Sequence, residues 1–164
     1  MQQIRSGEPP EGLASAGSGY IAREPFIAFH ERRQRWAVLV CHRRCGKTVA
    51  CIMDLIDAAT RFEGERGRFC YIAPFYVQAK TVAWDYVKAF TMTAPGVRFN
   101  ESELYVEFAH NGARIQLQGA DNYERLRGQY FDGIVMDEFG ARDAIAIGPR
   151  CFPQRAVGVF RSVA

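Results

Sequence analysis

Apolar residues fall along this chain in two rhythms. Unbroken runs at Trp36-Ala-Val-Leu-Val40, Arg68-Phe-Cys-Tyr-Ile-Ala73 and Gly133-Ile-Val-Met136 predict buried strands. Between them the spacing turns helical. Residues 47–61 predict a helix that the Gly64 to Gly67 stretch ends. Residues 76–91 predict a second one, stopped by Pro95-Gly96, with Ala79, Val82, Ala83, Tyr86 and Phe90 on one core-facing side. Alternation at 104–108 and 113–117 around Asn111-Gly112 predicts a hairpin with a two-residue turn, Arg114 and Gln116 lying opposite Ile115 and Leu117. Residues 119–128 read as a polar loop. The order strand, helix, strand, helix, further strands predicts an α/β domain with a mainly parallel central sheet, flanking helices and an added β-hairpin. Ligands of such sheets bind at the carboxyl ends of the strands.

Composition adds little to this picture. The chain has 164 residues and a net charge of +3, enough for one domain with a real core. Residues 1–24 are expected to be a flexible leader, because their Gly, Ser, Pro and polar content cannot bury enough apolar surface. The folded domain is expected at 25–139, with an atypical tail at 140–164. The five cysteines form no Cys-x-x-Cys pair, and the three histidines do not complete a zinc site with them. Cys51 and Cys70 therefore read as buried thiols. No apolar run reaches membrane length and the amino terminus lacks a signal-peptide core, so a cytoplasmic protein is expected. Arg32, Arg33, Arg35, Arg43, Arg44 and Lys47 are expected to crowd around the loop at 41–48, which fits a nucleic-acid surface or, as charge clusters more often do, a solvated face.

The chemistry sits between the first run and the first helix, at Cys41-His-Arg-Arg-Cys-Gly-Lys-Thr48. A strand, a tight loop and a helix opening on Gly-Lys-Thr are the setting of a phosphate-binding loop. The N–H groups contributed by Cys41, His42, Arg43, Arg44, Cys45 and Gly46 can converge on an anion that the helix dipole favours. Lys47 would reach the β- and γ-phosphates of ATP, and the Thr48 hydroxyl would sit on Mg²⁺. Cys41 stands where the usual pattern has its first glycine. Upstream, Phe29, Gln34 and Trp36 are candidates for contacting the adenine, with Phe26, Phe29 and Trp36 as core residues the alternative. The run at 133–136 ends in Asp137-Glu138, the Walker B pattern: Asp137 for the metal, Glu138 to orient and deprotonate the attacking water. The pair of motifs predicts a P-loop NTPase of the RecA-like class whose catalytic carboxylate follows the metal-binding one.

On Arg35 to Thr48, Tyr71-Ile-Ala-Pro74 with Gln78-Ala-Lys80 and Trp84-Asp85, Gly119-Ala-Asp121 with Leu126-Arg-Gly128, and Asp132 to Phe139, the chain resembles the ATPase domain of the large terminase subunit of tailed phages. The resemblance spans about residues 25–139 in the family's order. It implies ATP hydrolysis that drives double-stranded DNA into a procapsid, with a ring of subunits at the portal protein and a small terminase subunit as partner. It makes the missing first glycine ordinary and assigns Arg43 to the γ-phosphate, against a plain surface charge. Arg127, or Arg125, lies where some members place an arginine that reaches a neighbouring subunit's nucleotide, and a solvated loop charge is the alternative for both.

The segment 140–164, with Pro149 and Pro153 and no sustained periodicity, does not resemble the family's continuation, and the family's nuclease domain is absent from this sequence. A reading frame lost after Glu138 or Phe139 is one explanation, and a sheet short of a strand is the expected consequence. Two other functions share the motifs: a helicase-like nucleic-acid translocase, and a nucleotide-binding module or prophage remnant without turnover.

Overall fold

The computed structural model describes residues 19–42, 44–126, 128–138 and 155–161. Helix α1 (Glu24–His30) precedes strand β1 (Trp36–Cys41), which feeds helix α2 (Lys47–Thr60). Strand β2 (Arg68–Ala73) leads into a composite helix made of α3 (Tyr76–Gln78), a π-helical turn (Ala79–Ala83) and α4 (Trp84–Thr91). Strands β3 (Val97–Asn100), β4 (Tyr105–Phe108) and β5 (Arg114–Gly119) follow, then a 3₁₀ segment (Ala120–Leu126), β6 (Gly133–Met136) and β7 (Arg155–Arg161). The described strands form one sheet in the order β1-β7-β6-β2-β5-β4-β3. The first five of these pair in parallel, and β5, β4 and β3 meander antiparallel at the far side. This is the mainly parallel α/β sheet that the sequence predicts.

Strand β7 corrects one expectation. It lies between β1 and β6, with Trp36 opposite Ala156 and Gly133 opposite Arg155, so the sheet is not short of a strand there. Ala156-Val-Gly-Val-Phe160 is a brief apolar run of the kind that parallel strands show, and it offers no alternation to detect. Segment 155–161 therefore belongs to the same sheet as residues 36–136.

One face of the sheet carries α2, whose Ala50, Met53 and Ile56 are fully buried with Tyr71, Ile115, Leu117 and Val135. On the other face Cys70, Ile72 and Ile134 pack with Leu126 and Phe131. Cys51 and Cys70 are both inaccessible, as read from their surroundings. Strand β1 is only half-buried: Ala37 and Leu39 pack against this larger core, while Trp36, Val38 and Val40 remain 54%, 65% and 66% exposed.

The core face of the second helix also differs from its sequence reading. Ala79, Ala83, Trp84, Val87 and Thr91 are buried, whereas Val82 and Tyr86 are exposed. A π-turn holds one extra residue, so every later position lags by one and the apolar stripe passes from Tyr86 to Val87. The hairpin differs too. Gly112 N–H donates to Phe108 O at 2.8 Å and Phe108 N–H to Ala113 O at 2.9 Å, which closes a loop of residues 109–112 rather than a two-residue turn. Asn111 is used otherwise: its amide donates to Ala59 O and Phe62 O at 2.9 and 3.1 Å, satisfying carbonyls at the end of α2.

Gly119 ends β5 where the backbone of β5 meets α3. A Cβ there would overlap the Tyr76 nitrogen and an Asp121 oxygen, the pair joined by the Tyr76 N–H to Asp121 Oδ1 hydrogen bond. Gly119→Ala is expected to destabilise the fold by about 1–3 kcal/mol or more, because backbone cannot yield as a side chain does. A lower denaturant midpoint at unchanged slope checks this.

Candidate active site

Strand β1 ends at Cys41, and the chain reverses through Arg44 (φ 62°) and Gly46 (φ 97°) into α2. Gly46 supplies a left-handed backbone that the turn requires at little steric cost. Lys47 opens α2 and is 8% exposed, and no acidic residue stands in the first turn to offset the helix dipole. His42 and Arg44 are exposed, while Cys41, Cys45 and Gly46 are half-buried. Burial, and then a hydrogen bond to Cys45, pushes the Cys41 thiol up, so it stays protonated.

Strand β6 brings Asp137 to the same place. Its N–H donates to Ile72 O at 2.9 Å, extending the pairing with β2 past Met136. The Thr48 hydroxyl donates to Asp137 Oδ2 at 3.3 Å, and the Tyr71 hydroxyl donates to the same oxygen at 2.5 Å. Asp137 Oδ1 is buried and has no hydrogen-bond partner among the described residues. An orphaned buried carboxylate oxygen beside a threonine hydroxyl is the donor set that a hard divalent cation such as Mg²⁺ takes, with water completing its shell. Glu138 follows at φ 52°, a conformation that costs a non-glycine residue free energy and recurs at functional sites. Thr48, Tyr71, Gln78, Asp137 and Glu138 line a common cavity of about 200 Å³.

A second cavity, of about 220 Å³, opens on the outer side of the loop between Tyr20, Ile21, Arg23, Phe26, Gly46 and Val49. Arg23 Nη1 donates to Cys45 O at 3.1 Å, so its guanidinium lies on the loop backbone. Tyr20 meets His30 through its hydroxyl at 3.1 Å and Phe90 edge-on, and burial is the main cause pushing its phenol up to about 12. Tyr20 and Arg23, from the stretch read as a leader, thus contact the domain, while Ile21 stays exposed. The pointer in the sequence was an aromatic-cation-aromatic spacing, Tyr20, Arg23, Phe26, which the polar residues before it obscured.

The adenine candidates are redistributed. Phe26 and Phe29 are 2% and 7% exposed members of the core, and Trp36 is exposed at the start of β1. Gln34 lines a cavity with Arg33, Phe69 and Asp132, at the amino ends of the strands. Six residues of β1 separate it from the loop, about 20 Å at the rise of a strand. The same separation removes Arg32, Arg33 and Arg35 from the loop. Arg32 is instead 6% exposed and forks onto Asp54 of α2 at 2.7 and 2.8 Å. Arg43 and Arg127 lie outside the described residues, as does the side chain of Arg125.

Among solved structures the chain is similar to the large terminase ATPase domain of Thermus phage P74-26, at a TM-score of 0.65 and 18% identity over 87% of this chain and 65% of that one. It is similar to the large terminase of bacteriophage HK97, at a TM-score of 0.67 and 15% identity over 88% and 34% of the two chains. A third large terminase, from a thermophilic bacteriophage, gives a TM-score of 0.65 and 12% identity over 94% and 39%, and that protein has also been solved with ADP and with ATP-γ-S. No family model matches the sequence, and no curated protein does. The class defined by these likenesses is a fold class: a P-loop α/β domain of the RecA-like type. In particular, the fold is that of large-terminase ATPase domains, and the chain spans 65% of the isolated domain and 34–39% of the two complete subunits. No helix among the described residues is long and apolar enough to cross a membrane.

Proposed function

We propose that this chain binds ATP with Mg²⁺ at the junction of β1, α2 and β6, and hydrolyses it as the motor domain of a large terminase that packages double-stranded DNA. The observation that carries the reading is the contact of Thr48 with Asp137, 89 residues apart in sequence and 3.3 Å apart in space. It sits behind a helix amino terminus at the carboxyl ends of parallel strands, where such sheets bind ligands. The similarity to terminase ATPase domains, and the nucleotides bound to the third of those terminases, support it further.

On this reading the N–H groups of the loop and the Lys47 ammonium would hold the β- and γ-phosphates, and Arg43 would contact the γ-phosphate, as the resemblance to terminases implies. Thr48 and Asp137 would hold Mg²⁺, which would supply neutralising charge to the triphosphate. Glu138 takes the proton of the attacking water. The base lies against Tyr20, Arg23 and Phe26, not Gln34. The partners that this role implies are DNA gripped through its phosphates, a portal protein, a small terminase subunit and further copies of the chain in a ring, all in the host cytoplasm.

Calorimetric titration with ATP-γ-S tests the site. Wild-type protein is expected to bind, and Lys47→Ala to bind about 10–100-fold more weakly, the range for losing a hydrogen bond to a charged group. Equal affinities in the two proteins would contradict the assignment.

A further inference from the structure

We infer that Tyr71 is a positioning residue for the metal, holding the Asp137 carboxylate by Oδ2 so that Oδ1 is the oxygen left for the cation. The inference rests on the nucleotide-site reading above and extends it to a residue on neither of its two motifs. Tyr71 lies in β2, opposite Val135 of β6, and its ring is 2% exposed beneath α2. The hydroxyl reaches Asp137 Oδ2 at 2.5 Å, well inside the 3.3 Å contact from Thr48 to the same oxygen. Oδ1 keeps its lone pairs and is buried.

Two hydroxyls on one oxygen cannot serve the same purpose once a cation arrives. Thr48, half-buried at the helix start, hydrogen-bonds Tyr71 as well as Asp137, and a turn about its Cα–Cβ bond would bring its oxygen to the metal. Tyr71 has no such freedom, because a buried ring on a central strand has its hydroxyl fixed by packing. Its bond therefore persists, fixes the carboxylate rotation and prevents Asp137 from turning Oδ1 back toward the protein. Groups that hold a ligating carboxylate in this way are worth about 10–100-fold in metal affinity.

Tyr71→Phe removes the hydroxyl and keeps the ring. The test measures Mn²⁺ binding to the ATP-γ-S complex by the loss of the free-ion electron paramagnetic resonance signal, and ATP-γ-S affinity in EDTA. Expected are about 10–100-fold weaker Mn²⁺ binding and metal-free nucleotide affinity within about twofold of wild type. Unchanged Mn²⁺ affinity, or an equal loss of nucleotide affinity with and without metal, would overturn the inference alone. Absence of Lys47-dependent nucleotide binding in wild-type protein would overturn the reading beneath it and the inference with it. Should Tyr71→Phe fail to fold, 3-fluorotyrosine placed at position 71 gives a second measurement. Its ¹⁹F resonance is expected to shift when Mg²⁺ joins the nucleotide complex, and a static resonance would count against a link to the metal.

Discussion

Glu138→Gln is expected to lower ATP turnover by about 10²–10⁴-fold, the contribution of a positioned general base, while ATP remains bound. Glu138 lines the cavity shared by Thr48 and Asp137, one residue beyond Asp137, on a backbone held at φ 52°. A glutamine keeps the shape and the hydrogen-bonding capacity but cannot accept the water's proton. The effect should fall on kcat, with little change in the dissociation constant for ATP-γ-S. Phosphate release under single-turnover conditions, beside a binding titration of the same variant, separates the two quantities. A wild-type protein that binds ATP and never releases phosphate would instead make the chain a nucleotide-binding module.

Asp54→Ala is expected to destabilise the fold by about 3–5 kcal/mol, because it strands the Arg32 guanidinium in a site where 6% of its side chain is exposed. Arg32 also donates to Phe29 O at 2.6 Å and lies 4.2 Å over the Phe29 ring, so it ties the end of α1 to the middle of α2. Domains of this size have about 5–15 kcal/mol to lose, and the variant should be partly unfolded at 37 °C. Replacing both partners with apolar residues of similar volume, Arg32→Met with Asp54→Leu, should recover much of the loss, since no uncompensated charge remains. Thermal unfolding of the single and double variants checks this. A single variant as stable as wild type would show that the pair contributes nothing.

The parts legible in the sequence were those that one local rule specifies. Apolar runs gave β1, β2 and β6, a helical stripe gave α2, and Gly46-Lys-Thr48 with Asp137 gave the meeting point of loop and strand. Where two rules competed, the reading failed. A π-turn at Ala79–Ala83 moved the core stripe by one residue, an effect that periodicity alone cannot register. Gly158 and the nearby prolines hid β7, although its apolar run was present. Short, polar β3 lacked any run at all and pairs only because β4 offers it an edge. Arg32, Arg33 and Arg35 were judged by nearness in sequence, whereas a strand carries neighbours apart faster than any other element. Tyr71 is part of an apolar run, and nothing in its sequence context reveals that its hydroxyl ends on Asp137.

The most direct test of the central claim is an experimental structure of this chain with ATP-γ-S and Mg²⁺. Expected is a triphosphate on the amino terminus of α2 against Lys47, with the cation between Thr48 and Asp137 and the base beside Tyr20 and Phe26. A nucleotide seated elsewhere, for example among Arg66, Arg68 and Arg114 at the hairpin end, or none under saturating conditions, would contradict it.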